Sequence, residues 1–470
     1  DLPPRGSRRL RQALRDQLKA AIEMGRLAPG ARLPSTREMA AAFGVSRNTM
    51  VVVFNHLTND GYLHMQRGAG TFVSERVPAV CRSPALKHGA AEVHINPFWR
   101  APPQVPPQFL LTPVEFDFRL GITDMYPFPF DVWRRILARS VRWHSKSKPS
   151  YSKAQGREGL RRAIVAHVSA TRAVACDKDD VVVTAGAQQA YDLLAKILVT
   201  PGHTVVAVEN PGYPMMRVPF AAAGALVKPV PVDEEGMVVR RIPAGAKVIC
   251  VTPSHQFPFG STMSLRRRKE LLEYARTHRA VIIEDDYDGE FHFGKQPFDA
   301  LQTLDKQGSV IYVGTFTKTL FPGIRMGFLV TPPWALQALV AAKRFADWQC
   351  STVEQETLTA FIAEGHLGRH IRRAQRIYAA RRSALLAGIK RHFSRSLEVI
   401  PSMAGLHVTA LLRSSMDLDR LVKTAREHEI GIYNLREFHM GEEERPGLIF
   451  GYGAIDERRI VEGLTRLSKL

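Results

Sequence analysis

The chain reads as a multidomain protein, a small helix-rich N-terminal module joined through a proline-rich stretch to a much larger α/β module. Three observations lead there. Its 470 residues exceed the needs of one small core, and 45% apolar with 23% charged residues is ordinary globular composition. Residues 1 to 76 are rich in arginine and carry a helical apolar pattern. From residue 115 onward, short apolar runs alternate with helical segments, the mark of strands buried on both faces.

Charge and cysteine usage narrow the function classes. Lys and Arg total 65 against 45 Asp and Glu, a net charge of +20, which suggests an acidic partner with nucleic acid the first candidate. Cys81, Cys176, Cys250 and Cys350 lie far apart without a Cys-x-x-Cys pair. That fits neither a disulfide framework nor a zinc site, and a reducing cytoplasm is expected. No run of about 18 apolar residues could span a bilayer, and the Asp1-Leu2-Pro3-Pro4 start lacks an apolar signal core. Neither secretion nor membrane insertion is expected.

In the N-terminal module, Leu10, Leu14, Leu18 and Ile22 recur every four residues and predict an amphipathic helix. Leu33-Pro34-Ser35-Thr36-Arg37-Glu38 then leads into an alanine-rich helix, followed by Phe43-Gly44-Val45 and Ser46-Arg47-Asn48-Thr49. Ser35 and Ser46 are placed to cap two helices, and Gly44 supplies the turn between them. Arg47, Asn48 and Thr49 fall in the first turn of the second helix, where side chains reach phosphates and base edges in a major groove. Val53, Phe54 and Leu57 are expected to pack inward, with the helix ending near Asp60-Gly61. Tyr62 to Met65 and Thr71 to Val73 flank Gln66-Arg67-Gly68-Ala69-Gly70, a hairpin whose basic tip suits a minor groove.

A glycine between two helices occurs by chance, so the turn alone is weak. The longer string is specific. Gly30-x-x-Leu33-Pro34-Ser35-x-Arg37-Glu38, Val45 to Thr49, Leu57 to Tyr62 and Gly68-x-Gly70-Thr71-Phe72-Val73 resemble the winged helix-turn-helix of the GntR family of bacterial regulators, over residues 8 to 74. The resemblance implies DNA binding through Ser35, Thr36, Arg37, Ser46, Arg47, Asn48, Thr49, Arg67 and Gly68.

Between residues 77 and 114, Pro78, Pro84, Pro97, Pro102, Pro103, Pro106, Pro107 and Pro113 argue against helix or central strand and predict a stiff linker. Beyond it, Val181-Val182-Val183, Val205 to Val208, Val248 to Val251, Val281-Ile282-Ile283 and Val310 to Val313 are expected strands of a parallel sheet. Asp285, Asp286 and Tyr287 follow one of these strands, and Thr315-Phe316-Thr317-Lys318 follows another. Strand ends are where open α/β sheets build ligand sites. A lysine, an aspartate and a tyrosine so placed match what pyridoxal phosphate requires: an amine for an imine, a carboxylate for the pyridine nitrogen and a hydroxyl for the ring oxygen. Bare, the pattern is weak, since a lysine after a strand is usually a solvated surface residue and Asp-Asp-Tyr is usually loop. Gly186-Ala187-Gln188-Gln189 opens a helix whose free amides suit a phosphate. Tyr213 offers a ring for stacking, His255 lies in Thr252-Pro253-Ser254-His255-Gln256-Phe257-Pro258-x-Gly260, and Arg325 adds a cation.

Together these segments resemble the fold type I aminotransferases, from about residue 115 to 470, which implies an α/β domain with a smaller C-terminal α+β subdomain. On that resemblance Lys318 forms the imine, Asp285 pairs with the pyridine nitrogen, Tyr287 meets the ring oxygen and Tyr213 stacks on the ring. Ala187, Gln188, Thr315, Thr317 and Arg325 match phosphate-cradle positions, His255 faces the cofactor, and Tyr151 matches a tyrosine that reaches a neighbouring subunit's phosphate.

A GntR-type head on such a domain resembles the MocR subfamily, which implies a cytoplasmic, homodimeric, promoter-binding regulator sensing pyridoxal phosphate or an amine that reacts with it. The competing reading is a working aminotransferase with an accessory DNA-binding head. One departure bears on the choice. Relatives that bind amino acids carry an arginine that forks onto the substrate carboxylate, and here Ile449 in Leu448-Ile449-Phe450-Gly451-Tyr452 takes that position, while Met215 stands where a second arginine can occur. Arg436 and Arg445 are the candidate substitutes. The histidines form no metal constellation in the sequence and are expected in surface or packing roles. Arg266-Arg267-Arg268-Lys269 is expected to be a solvated helix face, with a DNA-contacting patch as the alternative.

Overall fold

The computed structural model describes residues 8–66, 69–75, 95–100, 113–148, 150–294, 299–413, 415–441 and 445–470. These divide between two units, residues 1–96 and 97–470, each taken by itself. Most of the expected linker, 77–114, lies outside the described residues.

The first unit runs α1 (Arg8–Glu23), β1 (Arg32–Leu33), α2 (Thr36–Ala42), α3 (Arg47–Asn59), β2 (Leu63–Gln66) and β3 (Gly70–Val73). Leu10, Leu14, Leu18 and Ile22 are buried, as their spacing predicts, in one core with Met50, Val53, Phe54 and Leu57. Ser35 Oγ accepts from Glu38 N (3.3 Å) while Glu38 Oε2 accepts from Ser35 N (2.7 Å), a reciprocal capping box that starts α2. Ser46 Oγ accepts from Thr49 N (3.1 Å) and starts α3. Gly44, at φ 61°, holds the left-handed turn between them. The three strands form an antiparallel sheet in the order β1-β3-β2.

The second unit opens with a short helix, α4 (Pro97–Arg100), inside the segment expected to be free of helix. Pro97 is tolerated because the first helical residue needs no amide donor. Next come β4 (Phe116–Asp117), α5 (Phe130–His144), α6 (Glu158–Arg172), β5 (Val181–Thr184), α7 (Ala187–Leu198), β6 (Val205–Asn210), α8 (Pro214–Ala222), β7 (Leu226–Asp233), β8 (Gly236–Met237), β9 (Ala246–Val251), α9 (Leu265–His278), β10 (Val281–Asp286), β11 (Val310–Thr315), β12 (Gly327–Val330), α10 (Pro333–Asp347), α11 (Thr352–Ala363) and α12 (His366–Phe393). The C-terminal part adds β13 (Leu397–Val399), β14 (His407–Leu412), α13 (Leu418–Glu427), β15 (Ile430–Gly431), β16 (Tyr433–Asn434), β17 (Gly447–Gly451) and α14 (Glu457–Leu467).

Eight strands form the central sheet in the order β5-β12-β11-β10-β9-β6-β7-β8. The predicted runs are all strands, but the sheet is mixed where a parallel one was expected. β12 is antiparallel to both neighbours, β11 and β5, and β8 is antiparallel to β7. No helix long enough for a crossover joins β11 to β12, so the chain turns back and pairs in the opposite sense. Gly327 makes the entry possible, since a Cβ there would lie 2.9 Å from Gly186 Cα. The expected C-terminal α+β subdomain is a four-stranded sheet, β13-β14-β17-β16, packed with α12 and α14 around Phe116, Phe118, Tyr378, Leu385, Phe450 and Leu464.

Candidate functional site

The carboxyl ends of β5, β6, β9, β10 and β11 face a cavity of about 390 Å³. Ala187, Gln188, Tyr213, Asp285, Tyr287, Thr315, Thr317, Lys318 and Arg325 line it together. Lys318 Nζ donates to the Gly121 carbonyl (2.5 Å), and burial lowers its pKa to about 8. Asp285 is buried at the end of β10, and the same desolvation raises its pKa to about 7, partly offset by a hydrogen bond from Tyr191. Its Oδ1 has no partner. A buried carboxylate oxygen without a donor fits the ring N–H of a bound pyridinium, so the acid has the partner it lacks once that ring is present. Thr317 Oγ1 is likewise buried and unpartnered.

At the other end of the cavity Gly186 caps α7 at φ 80°, with no side chain satisfying the first amides of the helix. A Cβ on Gly186 would lie 2.9 Å from Arg325 Nη2. A cation over an open helix N-terminus is a cradle for a phosphate. The donor set therefore fits pyridoxal phosphate at both ends.

His255 and Tyr151 stand apart. Neither lines the cavity. Tyr151 is 78% exposed, its ring 5.3 Å from Trp348. His255 is buried behind Tyr287, whose hydroxyl lies 2.9 Å from His255 Nδ1, and Asp288 Oδ2 is 3.0 Å from the same nitrogen. His407 packs its ring 4.8 Å from that of His255 and is held neutral by burial, its pKa falling to about 3. The expectation that the histidines gather nowhere is thus corrected: His255, Asp288 and His407 place ligand-type atoms within 4.8 Å of one another. Hydrogen bonds already engage His255 Nδ1 and His407 Nε2, the latter with the Pro258 carbonyl at 2.9 Å, so the group forms a polar support under Tyr287.

Several lining residues escaped the sequence reading. Tyr191 lies one helical turn beyond Ala187, a spacing that points it to the same face of α7. Leu120, Gly121, Ile122 and Leu406 also line the cavity, and no local signal marks them. Ile449 is fully buried in β17, in an apolar cluster with Leu120, Phe257, Phe259 and Phe438. Neither proposed substitute lines the cavity: Arg436 is exposed beside Asp419 (3.4 Å), and the Arg445 guanidinium sits 5.3 Å over the Phe259 ring. Met215 does line it. Among the described residues, the cations facing the cavity are Lys318 and Arg325.

In the first unit Arg37, Arg47 and Asn48 are exposed, as are Ser35 and Ser46, while Thr36 and Thr49 are half-buried. The Ser35 and Ser46 hydroxyls serve the helix caps, and Ser46 Oγ also lies 2.9 Å from Thr49 Oγ1. Arg67 and Gly68 lie outside the described residues. Of the Arg266 to Lys269 run, Arg266 and Lys269 are exposed as a solvated face would be, but Arg267 and Arg268 are buried. Arg267 is buried on the Met237 carbonyl (2.5 Å) and Asp233 (2.9 Å), and Arg268 on the carbonyls of Asp299 (2.7 Å), Met263 (3.0 Å) and Pro253 (3.1 Å). Arg266 pairs with Glu235 and Glu270.

Comparison with known proteins adds independent findings. Residues 10–73 match the family described as bacterial regulatory proteins, gntR family, and residues 120–447 match aminotransferase class I and II. The chain is 33% identical over 461 residues to the probable rhizopine catabolism regulatory protein MocR of Rhizobium meliloti, covering 97% of this chain and 93% of that one. It is 29% identical to the pyridoxine biosynthesis transcriptional regulator PdxR of Corynebacterium glutamicum, over 97% and 94% of the two chains. Among solved structures, kynurenine aminotransferase of Pyrococcus horikoshii superposes with a TM-score of 0.74 at 25% identity, over 81% of this chain and 97% of that one.

Proposed function

The chain belongs to the MocR-type branch of the GntR family, transcription regulators that join a helix-turn-helix head to a class I and II aminotransferase domain, and from that premise we propose that its large unit binds pyridoxal phosphate as the signal-reading group. In this reading residues 1–76 are the promoter-binding head, 77–114 the linker and 115–470 the effector and dimerisation unit of a cytoplasmic homodimer. The observation that carries it is the convergence of Lys318, Asp285, Tyr287 and the open N-terminus of α7 on one cavity.

Each residue has a task that its surroundings support. Lys318, with its proton loosened by burial, presents an amine ready to attach the aldehyde. Asp285 takes the ring nitrogen, Tyr287 the ring oxygen, and Tyr213 lies across the ring face. Ala187, Gln188, Thr315, Thr317 and Arg325 hold the phosphate, with Tyr151 offered to a second copy's phosphate. His255 acts one step removed, fixing the Tyr287 hydroxyl. Bound pyridoxal phosphate supplies an aldehyde that condenses with primary amines. In the head, Arg47, Asn48 and Thr49 at the start of α3 and Ser35, Thr36 and Arg37 at the start of α2 face the DNA, with Arg67 and Gly68 at the wing.

The effector follows from what the cavity lacks. Leu120, Ile122, Met215, Phe257 and Leu406 line its wall, and buried Ile449 replaces a forked cation. An amino-acid carboxylate would lose its water there without gaining a charged partner. The signal is accordingly pyridoxal phosphate itself or an amine without a carboxylate, and turnover of ordinary amino acids is weak or absent.

Titrating pyridoxal phosphate into the purified protein tests this. A visible absorbance band is expected in the wild type and absent in Lys318→Ala, and protection of the protein's own promoter region should change with the cofactor. Sustained keto-acid production from common amino donors would instead support the enzyme reading.

A further inference from the structure

Two polar side chains of the cavity wall have no place in the cofactor set. Asp288 and His407 line it beside Leu120, Ile122 and Leu406, and they are only 2% and 4% exposed. His407 opens β14, an inner strand of the C-terminal sheet. Its Nε2 lies 2.9 Å from the Pro258 carbonyl, which also accepts from Thr409 Oγ1. A carbonyl can only accept, so the ring proton sits on Nε2 and Nδ1 carries a lone pair. Burial keeps the ring neutral, with its pKa at about 3, and Nδ1 therefore stays an acceptor at any working pH. Among the described residues Nδ1 has no hydrogen-bond partner. Because the ring lines the cavity, this nitrogen is the polar atom that a bound molecule can meet.

Asp288 is an acceptor as well. Its two oxygens lie 3.2 and 3.0 Å from a single donor, His255 Nδ1, while a carboxylate has room for about four. Its charge acts on Lys318 more strongly than that of Asp285 does, which sets it toward the amine end of the cavity and away from the ring-nitrogen end. Lys318 and Arg325, the cations facing the cavity among the described residues, are both engaged by the cofactor reading. What is left for an effector is a pair of acceptors on an apolar wall. An effector that brings a further acceptor, above all a carboxylate, would meet a lone pair and a like charge. A second ammonium would have to shed its water among Leu120, Ile122 and Leu406, at far greater cost than a hydroxyl. A hydroxyl brings the missing donor.

We propose that His407, with Asp288 beside it, reads a hydroxyl on the effector, and that the effector is an amino alcohol without a carboxylate. The inference rests on the cavity's being a site for pyridoxal phosphate and an amine, and it narrows the class of that amine. In the exchange the effector nitrogen bonds to the aldehyde carbon as the Lys318 bond to that carbon breaks. Two protons pass from the entering nitrogen to the leaving one, and nothing is oxidised or reduced. The released Lys318 amine returns to the Gly121 carbonyl, its partner in the cofactor-free chain at 2.5 Å. The effector's hydroxyl donates to His407 Nδ1 and fixes its far end.

The test titrates the full-length, cofactor-loaded protein with matched amines: straight-chain amino alcohols of two to four carbons, the alkylamine with methyl in place of each hydroxyl, and the ω-amino carboxylate of each length. The readout is the fraction of cofactor that borohydride no longer fixes to the protein. At the best length the alcohol should act at roughly fivefold lower concentration than its methyl isostere, the usual net worth of a buried hydrogen bond. That preference should vanish or reverse in His407→Phe, where the hydroxyl is buried without a partner, and return in His407→Asn, whose amide oxygen can stand near the Nδ1 position. Equal action of alcohol and isostere at every length in the wild type overturns the inference. So does an undiminished preference in a His407→Phe protein that keeps its cofactor band. If the carboxylates act at the lowest concentration, the inference falls together with the exclusion of amino acids, while cofactor attachment stands. If the cofactor band forms but no amine frees cofactor from Lys318, the inference falls and pyridoxal phosphate itself is the signal. Absence of any cofactor band removes the underlying reading of the cavity too.

Discussion

The head and the cavity position their polar groups by opposite means. In the head, Ser35 and Ser46 each start a helix through bonds to residues three positions on, so the exposed first turns are set by neighbours in the chain. In the cavity, the groups come from Leu120 to His407, and their meeting depends on the order of eight strands. Locally coded function tolerates change elsewhere in its unit. A site assembled over distance shares the fate of the whole sheet and concentrates buried charge: Glu209, Glu284 and Asp285 each have a pKa raised to about 7 by burial.

The sharpest way to separate the two is Lys318→Ala. It should remove the visible absorbance of added pyridoxal phosphate completely while the cofactor-free protein binds promoter DNA as tightly as wild type, both read on one preparation. Parallel loss of DNA binding would show that the units do not function separately.

Acidity gives the next largest effect. Lys318 is depressed to about 8, so the reactive neutral amine accumulates as pH rises toward that value. The rate of cofactor attachment, followed by absorbance, should climb about tenfold per unit below pH 8 and level off above it. Asp285 shifts the other way. Its folded pKa lies above the unfolded value of 3.8, so the folded state holds the proton more tightly. That stabilisation is fully present below pH 3.8 and is lost as pH rises to about 7. Melting curves of the cofactor-free protein should fall through this window, and added cofactor should flatten the fall.

Gly186→Ala tests the cradle. A left-handed φ of 80° and a Cβ 2.9 Å from Arg325 Nη2 should cost more than about 1 kcal/mol, seen as faster release of cofactor on dialysis. Ser35→Ala is the mildest change. Losing the cap of α2 should lower the stability of the head by about 1 kcal/mol, visible in its urea midpoint, with no change in cofactor absorbance.

Legibility in the sequence follows the same division. Leu10, Leu14, Leu18 and Ile22 announce their helix because the pattern and the structure share one short period. Lys318, Asp285 and Tyr287 were readable because each lies at or just past the end of a strand within a recognisable local string. What the sequence concealed is set by distance. Nothing near Gly121 signals that its carbonyl receives Lys318, and the apolar β12 looks like its parallel neighbours although it runs the other way. His255, Asp288 and His407 meet only after folding. Arg267 and Arg268 misled for a related reason: a run of cations reads as surface, whereas backbone carbonyls from distant loops solvate these two inside the protein.

α12 has a mechanical side. Leu367 and Ile371 near its start belong to the core beneath the central sheet, with Phe128, Phe316 and Phe361, while Ala374, Tyr378, Leu385 and Ile389 belong to the C-terminal core. One rod is therefore clamped in two bodies. Gly365, at φ 74°, makes the left-handed turn that separates α12 from α11 and sets its direction from one core to the other. A shift of the C-terminal core against the core beneath the central sheet would therefore have to bend this helix or give up one of its two sets of apolar contacts.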